Sequence, residues 1–301
     1  MGGAWMNPST AAADGELAAG FGTNGVVIDT SLGGGLNVHI EDVIQLRDGS
    51  FVVGGYMQNS SGNQFRLFMV RYTADGQRDP AFPKLGATGL GVIPQAMVTM
   101  LDGRIAAPSF GPGKGVAFLN PDGSTNVEVP GGRPFDLLLR PDGAVVAIGS
   151  HQFAYDNRLV DVVLPNGTID GSFDSDVTSL LPPGARVGGR FPTATFLSDG
   201  RLVVGFTYLL AGSNHNLCGV VALGPDGRYD PSFGINGIVT VDQDYCSVQH
   251  YVDDTIIVTG TAGVLGFSPS GAALGPLDAP LNGGYFAIEG TGYLYRTGAP
   301  G

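Results

Sequence analysis

Six times along this chain an apolar strand follows a tight turn of the Asp-Gly type, and this repeat constrains the fold more than any other feature. The six segments read VIQLRDGSFVVGG, MVTMLDGRIAAPS, LLLRPDGAVVAIG, ATFLSDGRLVVGF, QHYVDDTIIVTG and FAIEGTGYLYRTG. Asp-Gly between two strands is a strong hairpin signal, because both residues tolerate positive φ. The sequence therefore predicts six β-hairpins.

A second kind of turn follows each of the first five hairpins, and its sixth copy precedes the first hairpin instead. The centres of these turns are about fifty residues apart and lie at Asp14, Asp75, Asp122, Asn166, Asp226 and Ser270. Each repeat thus holds four strands, which we call A to D in chain order. Six such units, the last completed from the other end of the chain, predict a closed ring.

The predicted fold is an all-β, six-bladed β-propeller with four-stranded blades, forming one domain over residues 1–301. Strands A and B of the last blade are expected at Tyr285–Thr297, and strands C and D at Ala4–Ser9 and Val26–Thr30. This closure by N-terminal strands leaves no sheet edge open. Gly and Pro supply 50 and 20 of the 301 residues, which favours turns and short strands over helices.

The phrases FGTNGVV (Phe21–Val27) and FGINGIV (Phe233–Val239) carry a family resemblance. Together with GPDGRYDPSFGINGIVTV and SDGRLVVGF, they are similar to the delta-60 repeats of bacterial propeller-like proteins. The pattern is sharp at Asp226–Val241 and decays at Asp79–Gly89 and Gly275–Gly284. The resemblance implies a propeller, with surface or secreted roles in many members, and it implies no shared reaction.

Composition excludes some classes of partner. The net charge of −12 argues against nucleic acid, and no run of 18 apolar residues spans a membrane. We expect a monomer that is secreted or on the cell surface if a signal was trimmed, and cytoplasmic otherwise. Cys218 and Cys246 are predicted to be free thiols, since an outer strand C and an inner strand A should keep their Cα atoms more than about 7 Å apart.

Strand A lines the channel of a propeller, so aligning the six A strands on their turns identifies candidate site residues. Charged residues make up only 14% of the chain, yet they are concentrated at these positions. The candidates for acid–base chemistry are His39, Glu41, Asp42, Asp136 and Asp244. The candidates for ligand binding are Arg133, Arg190, Gln95, Tyr285, His151 and His215.

The two arginines suit a carboxylate or phosphate, and the carboxylates with His39 could exchange protons with a ligand. Equally, these charges could be solvated or could neutralise each other. No set of residues has zinc-ligand spacing, and calcium is a weak alternative at Asp170–Asp176 or at Asp242 and Asp244. No cofactor is expected.

Three functions remain open on the sequence. The first is binding of a polar or anionic small molecule, glycan or peptide at the charged mouth of the channel. The second is an acid–base enzyme, a lyase, cyclase or hydrolase, that uses the same residues. The third is a structural propeller that displays its loops to another protein.

Overall fold

The chain forms successive antiparallel sheets with almost no helix. The structure, a computed structural model, describes residues 20–32, 34–61, 65–82, 96–109, 113–132, 134–149, 157–188, 192–213, 215–251, 253–261, 263–276, 286–288 and 294–296. One short 3-10 helix, Thr178–Leu180, lies within these residues, and no helix among them is long and apolar enough to cross a membrane. The all-β prediction is confirmed.

The first three sheets follow one another along the chain. Sheet 1 contains β1 (Asn37–Gln45), β2 (Phe51–Gln58) and β3 (Phe65–Tyr72). Sheet 2 contains β4 (Val98–Thr99), β5 (Ile105–Pro108), β6 (Lys114–Leu119) and β7 (Thr125–Pro130). Sheet 3 contains β8 (Asp136–Leu139), β9 (Val145–Ile148) and β10 (Val160–Val163).

The later sheets repeat this meander. Sheet 4 contains β11 (Arg186–Val187), β12 (Thr193–Phe196), β13 (Leu202–Leu209), β14 (Asn216–Leu223) and β15 (Val239–Val241). Sheet 5 contains β16 (Ser247–His250), β17 (Ile256–Gly260), β18 (Gly263–Phe267) and β19 (Ala273–Pro276). The hairpin of β20 (Phe286–Ile288) and β21 (Leu294–Arg296) comes last.

Each predicted hairpin of strands A and B is present, and wherever the structure describes the turn its aspartate has a structural role. In five of these turns the Asp carboxylate accepts a hydrogen bond from the backbone N–H two residues later, at 3.0–3.1 Å, at Asp48, Asp102, Asp142, Asp199 and Asp253. This bond satisfies a turn N–H that the strands leave unpaired.

The apolar core is divided into layers between consecutive sheets. One cluster joins Val52 and Met69 of sheet 1 to Ile105 of sheet 2, and a second joins Phe118 of sheet 2 to Val145 of sheet 3. Further clusters join sheet 3 to sheet 4 and sheet 4 to sheet 5. The sheets therefore pack face to face in chain order, which is the arrangement of propeller blades.

The residues that follow the CD turn of one sheet pack on the CD turn of the next sheet. A Cβ placed on Gly123 would lie 2.9 Å from Phe82 Cζ, and one on Gly227 would lie 2.7 Å from Phe173 Cδ1. Both glycines have φ of +83°, so the turn and the close approach require glycine. The glycines of these recurring turns thus allow neighbouring sheets to come into contact.

The prediction of free thiols is wrong, because Cys218 and Cys246 form a disulfide with a Cα–Cα distance of 5.2 Å. Cys218 lies on β14, and Cys246 immediately precedes β16 of the next sheet. The prediction estimated the Cα separation from the inner and outer positions of strands A and C. It did not take into account that adjacent sheets pack face to face, which brings the two cysteines together. Gly205, on the strand beside Cys218, leaves room for Cys246, since a Cβ there would lie 3.2 Å from Cys246 Sγ.

Candidate functional site

The A strands of neighbouring sheets are linked by side chains that stand six residues before the turn aspartate. Asp42 Oδ2 accepts a hydrogen bond from the Met97 N–H of sheet 2 at 2.5 Å. Thr193 Oγ1 accepts one from the Val248 N–H of sheet 5 at 2.7 Å. At these two junctions the position therefore caps the backbone of the next A strand, a structural role that the turn pattern alone does not predict.

Asp42 is held by two backbone donors. Its Oδ1 accepts the N–H of Val43 at 2.8 Å, in addition to the bond from Met97. Burial raises the pKa of Asp42, although these two N–H groups favour the charged form. The carboxylate is thus fixed in place on β1 and is partly withdrawn from water.

Asp136, at the start of β8, is a second partly buried carboxyl group on an A strand. Its Oδ1 accepts the N–H of Leu137 at 2.8 Å. Burial raises the pKa of Asp136 to about 6, and the negative charge of Asp42 raises it further. Ala96 occupies the equivalent position in the intervening repeat and brings no side-chain donor. A carboxyl with a pKa of about 6 is mostly ionised at pH 7, where it accepts hydrogen bonds, and becomes protonated in mildly acidic solution, where it can also donate one.

His39 and Glu41 lie on the same strand as Asp42 but in different surroundings. The His39 ring stacks on Tyr56 with 4.5 Å between centroids and 12° between planes, and its Nε2 lies 3.0 Å from Gln58 Nε2. The register of β1 on β2 shifts between Ile40 and Asp42, so Glu41 is an exposed bulge residue. Bulges redirect side chains, and counting along the strand cannot locate them.

Asp244 and His215 lie together in a second cluster, formed by the loops of sheets 4 and 5. His215 Nδ1 is 3.8 Å from Asp244 Oδ1, and His215 Nε2 is 2.6 Å from Asp242 Oδ1. The hydrogen bond and charge of Asp242 raise the pKa of His215. All three side chains are largely exposed. His215 and Asp244, predicted for ligand binding and for acid–base chemistry respectively, are thus neighbours, which their separation of 29 residues in the sequence does not indicate.

The other predicted ligand-binding residues, namely Arg133, Arg190, Gln95, Tyr285 and His151, lie outside the described residues. Among the described residues, no group of three or more His, Cys, Asp or Glu side chains is arranged to hold a metal ion. At the weak calcium alternative, Asp170 accepts hydrogen bonds from Ser172, and Asp176 accepts them from Thr178. These oxygens take part in local turns.

The comparison with protein families agrees with the packing of the sheets. Residues 46–82 match a family described as a domain of unknown function (DUF5122) beta-propeller. The match begins before the first AB turn and ends at Phe82, which packs on the turn of sheet 2. No curated protein matches the chain.

Solved structures resemble the chain only distantly. A gluconolactonase from Xanthomonas campestris is 12% identical, with 87% of this chain and 96% of that chain covered and a TM-score of 0.43. An alpha-L-arabinanase from Penicillium chrysogenum, complexed with arabinobiose, is 13% identical over 74% and 76% of the chains with a TM-score of 0.43. A Bacteroides caccae protein of unknown function is 14% identical over 80% and 82%, with a TM-score of 0.40. These likenesses do not bear on activity or ligand.

Proposed function

We propose that the chain is a six-bladed propeller that is closed by its N-terminal segment and binds a polar or anionic ligand at the charged mouth of its channel. The ligand is a small molecule, glycan or peptide. Closure and binding rest on different observations and are tested separately.

The exposed face of sheet 1 supports closure. Val43 stands five residues before its turn aspartate and is 52% exposed, whereas the equivalent Met97, Leu137, Ala194 and Val248 are 2–7% exposed. Each of those four residues is buried against the preceding sheet. Val43 would be covered in the same way if a sixth blade preceded sheet 1. The hairpin of β20 and β21 supplies the first two strands of such a blade.

The position of the N-terminal segment also supports closure. Gly22 N–H donates to Asp75 O in the CD turn of sheet 1, and Gly234 N–H donates to Ser270 O in the CD turn of sheet 5, both at 2.8 Å. Phe233–Val239 leads into strand D of the sheet that precedes sheet 5. By analogy, Phe21–Val27 leads into strand D of the blade that precedes sheet 1.

The ligand proposal is carried by one observation, the pair of partly buried carboxyl groups Asp42 and Asp136 on the A strands. Neither forms a salt bridge with any of the described residues. Buried carboxylates without a counter-charge are costly, and they occur where a site needs acceptors. Hydroxyl or amide groups of a ligand would meet these acceptors, while Arg133 and Arg190 are proposed to bind its anionic end.

An acid–base enzyme is the second candidate, favoured by the pKa of about 6 at Asp136. General acids and bases work best when their pKa lies near the working pH. A structural propeller that displays its loops is the third candidate. A structural propeller accounts for the capping bond of Asp42 but gives no role to the raised pKa of Asp136.

The test is calorimetric titration of the protein with gluconate, arabinobiose and triglycine between pH 5 and 8. We expect one of these probes to bind, and Asp136→Asn and Asp42→Asn to weaken that binding at least tenfold. Asp122→Asn is the matched control, because Asp122 accepts hydrogen bonds from Ser124 in a CD turn. Equal binding by all variants would contradict the proposed site, and a wild-type protein that binds none of the probes would favour the structural propeller.

Product analysis of the same mixtures distinguishes binding from catalysis. An enzyme should convert its ligand with a rate that changes around pH 6 and loses this dependence in Asp136→Asn. A binding protein returns the ligand unchanged. The double replacement of Arg133 and Arg190 by Ala should abolish binding of gluconate while leaving the melting temperature nearly unaltered.

The disulfide supports folding in an oxidising compartment. Disulfides persist in secreted, periplasmic and cell-surface proteins and are rare in the reducing cytosol. We therefore propose the secreted or surface location from the two that the sequence left open. Fractionation of the native host, followed by thiol labelling without reductant, tests this location.

A further inference from the structure

A cleft opens between sheets 3 and 4 on the side of the molecule that carries the AB and CD turns. Its volume is about 380 Å³. Ligand pockets range from about 300 to 1,000 Å³. The A strands run from the DA loops to the AB turns, so this cleft lies at the opposite end from the mouth described above.

The cleft lies where the side-chain contact that fills the junction between sheets 2 and 3 is missing. In sheet 2, Leu101 precedes the turn aspartate, and its Cδ1 would lie 3.3 Å from a Cβ on Gly143 in the next turn. Pro141 takes the place of Leu101 one repeat later. The Cβ position of Gly200, which Pro141 would have to reach, has no atom within 4 Å. A shorter side chain thus leaves the space open.

The next repeat fills the same space with a polar contact. Asp254 stands where the other AB turns have glycine, and it adopts φ of +61°. Its Oδ1 accepts the N–H of Ser198 at 2.8 Å, and its Oδ2 accepts the Ser198 hydroxyl. Leu101 and the Ser198–Asp254 pair therefore join their turns to the neighbouring turns, and the junction between sheets 3 and 4 is open by comparison.

The lining of the cleft is mainly apolar. Its walls are formed by Leu139, Val146, Phe173, Phe196 and Leu202. Leu139, Phe173 and Phe196 are only partly buried, so they expose apolar area to the cleft. Covering such area is favourable by roughly 25 cal/mol per Å².

The polar groups at the rim are already paired. Arg140 Nη2 lies 2.8 Å from Asp142 Oδ2, and Ser198 is engaged by Asp254. The Arg140–Asp142 pair carries no net charge, so the rim offers no unbalanced charge to attract a charged ligand. The cleft is thus complementary to an apolar group without net charge.

We propose that this cleft is a binding site for a compact, uncharged aromatic molecule of about the size of indole. The site is separate from the proposed function, because it requires neither Asp42 nor Asp136. An apolar cavity of about 150 Å³ holds one benzene ring. The larger volume here accommodates a fused bicyclic ring between Phe173 and Phe196.

The experiment is a titration of the full chain with indole, followed by ligand-observed NMR. We expect a Kd on the order of 1 mM for a ligand of this size. Pro141→Leu restores the leucine of the preceding repeat and should weaken binding at least tenfold by filling the cleft. Pro225→Leu, in an exposed turn on the other side of the cleft, should act in the same way.

Pro121→Leu is the matched control, since Pro121 occupies an exposed CD turn outside the cleft. It should bind indole as the wild type does, and all variants should keep the wild-type melting temperature within a few degrees. The proposal is overturned if the wild type shows no binding at indole concentrations up to about ten times the expected Kd. It is also overturned if Pro141→Leu and Pro225→Leu bind as tightly as the control.

Discussion

Phe21–Val27 and Phe233–Val239 make the same contact in two regions of the molecule, but the residues that follow them differ. In both copies the asparagine has positive φ, at 54° for Asn24 and 56° for Asn236, and both copies close a bridge across the turn, Thr23 with Val26 and Ile235 with Ile238. The N–H of the first glycine, Gly22 or Gly234, donates a hydrogen bond to the CD turn of the next sheet. The phrase is therefore a docking element for the following sheet.

The two copies diverge eight residues after the phenylalanine. In the second copy this residue is Val241, which packs against the apolar cluster that includes Phe267. In the first copy it is Asp29, whose Oδ2 accepts the Tyr72 hydroxyl at 2.8 Å and lies 3.1 Å from Arg78 Nη1. Tyr72 and Phe267 occupy equivalent ends of strand C. The first copy is thus held by the contact of Asp29 with Tyr72 and Arg78, which we call the polar latch, and the second by an apolar contact.

Strand pairing also differs between the two copies. Ile28 and the equivalent Thr240 are both exposed, but Thr240 lies within β15, which pairs with β14. β14 is the strand-pairing partner of the second copy, and the predicted strand at Ala4–Ser9 would be the partner of the first. The two copies therefore share the contact with the following sheet and differ in how the residues after that contact are held.

Removal of residues 1–32 should have the largest effect, because it takes away both the docking element and the proposed strand. We expect aggregation or a loss of more than about 10 °C in melting temperature, since the apolar edge of sheet 1 would be exposed. Removal of residues 1–3 is the control, as it ends before the predicted strand. A protein without residues 1–32 that melts as the control does would contradict closure.

Removal of the disulfide should have the next largest effect. This bond lies beside the second copy, Phe233–Val239, and the first copy has no equivalent cysteines. Replacement of Cys218 and Cys246 together by Ala should lower the free energy of unfolding by about 3–4 kcal/mol, as loop closure over 28 residues predicts. Urea unfolding measures this loss. The unreduced wild type should have a mass 2 Da below that of the reduced protein. Two alkylatable thiols in the unreduced, unfolded chain would refute the bond.

The turn glycines test whether the two docking contacts are equivalent. A Cβ on Gly76 would lie 2.9 Å from Gly22 N, and one on Gly271 would lie 2.7 Å from Gly234 N, with φ of +83° and +79°. Gly76→Ala and Gly271→Ala should each cost about 2–4 kcal/mol through strain and displacement of the docked segment.

Gly103→Ala is the control for those substitutions, because Gly103 has φ of +88° but no atom within 4 Å of its Cβ position. It should cost only the conformational strain, about 1–2 kcal/mol. If all three variants lose the same free energy in urea unfolding, the docking contact contributes nothing beyond turn geometry.

Local signals in the sequence were sufficient for much of the fold. The Asp-Gly turns specify the hairpins by backbone chemistry within a few residues, and the count back from each turn correctly aligned Asp42 with Thr193. The disulfide was missed because it depends on how closely two sheets approach each other, which Gly205 permits. The partial burial of Asp136 and the pairing of His215 with Asp242 depend on neighbours distant in sequence, so no local pattern specifies them.

The polar latch should have the smallest effect and the clearest dependence on pH. Tyr72→Phe copies the Phe267 of sheet 5, so it fits sterically and removes only the hydrogen bond to Asp29, at a cost of about 1–2 kcal/mol at pH 7. Burial opposes ionisation of Asp29, but the bonds from Ser31 and Tyr72 and the charge of Arg78 outweigh it and lower the pKa of Asp29. A carboxyl with a lowered pKa stabilises the fold above its unfolded pKa near 4, and this stabilisation is lost as the pH falls through the folded value. A double-mutant cycle with Asp29→Asn should therefore show coupling of about 1 kcal/mol at pH 7 that disappears toward pH 2. Coupling that is absent at pH 7, or unchanged in acid, would mean that the two copies dock by the same apolar contacts and that the latch is incidental.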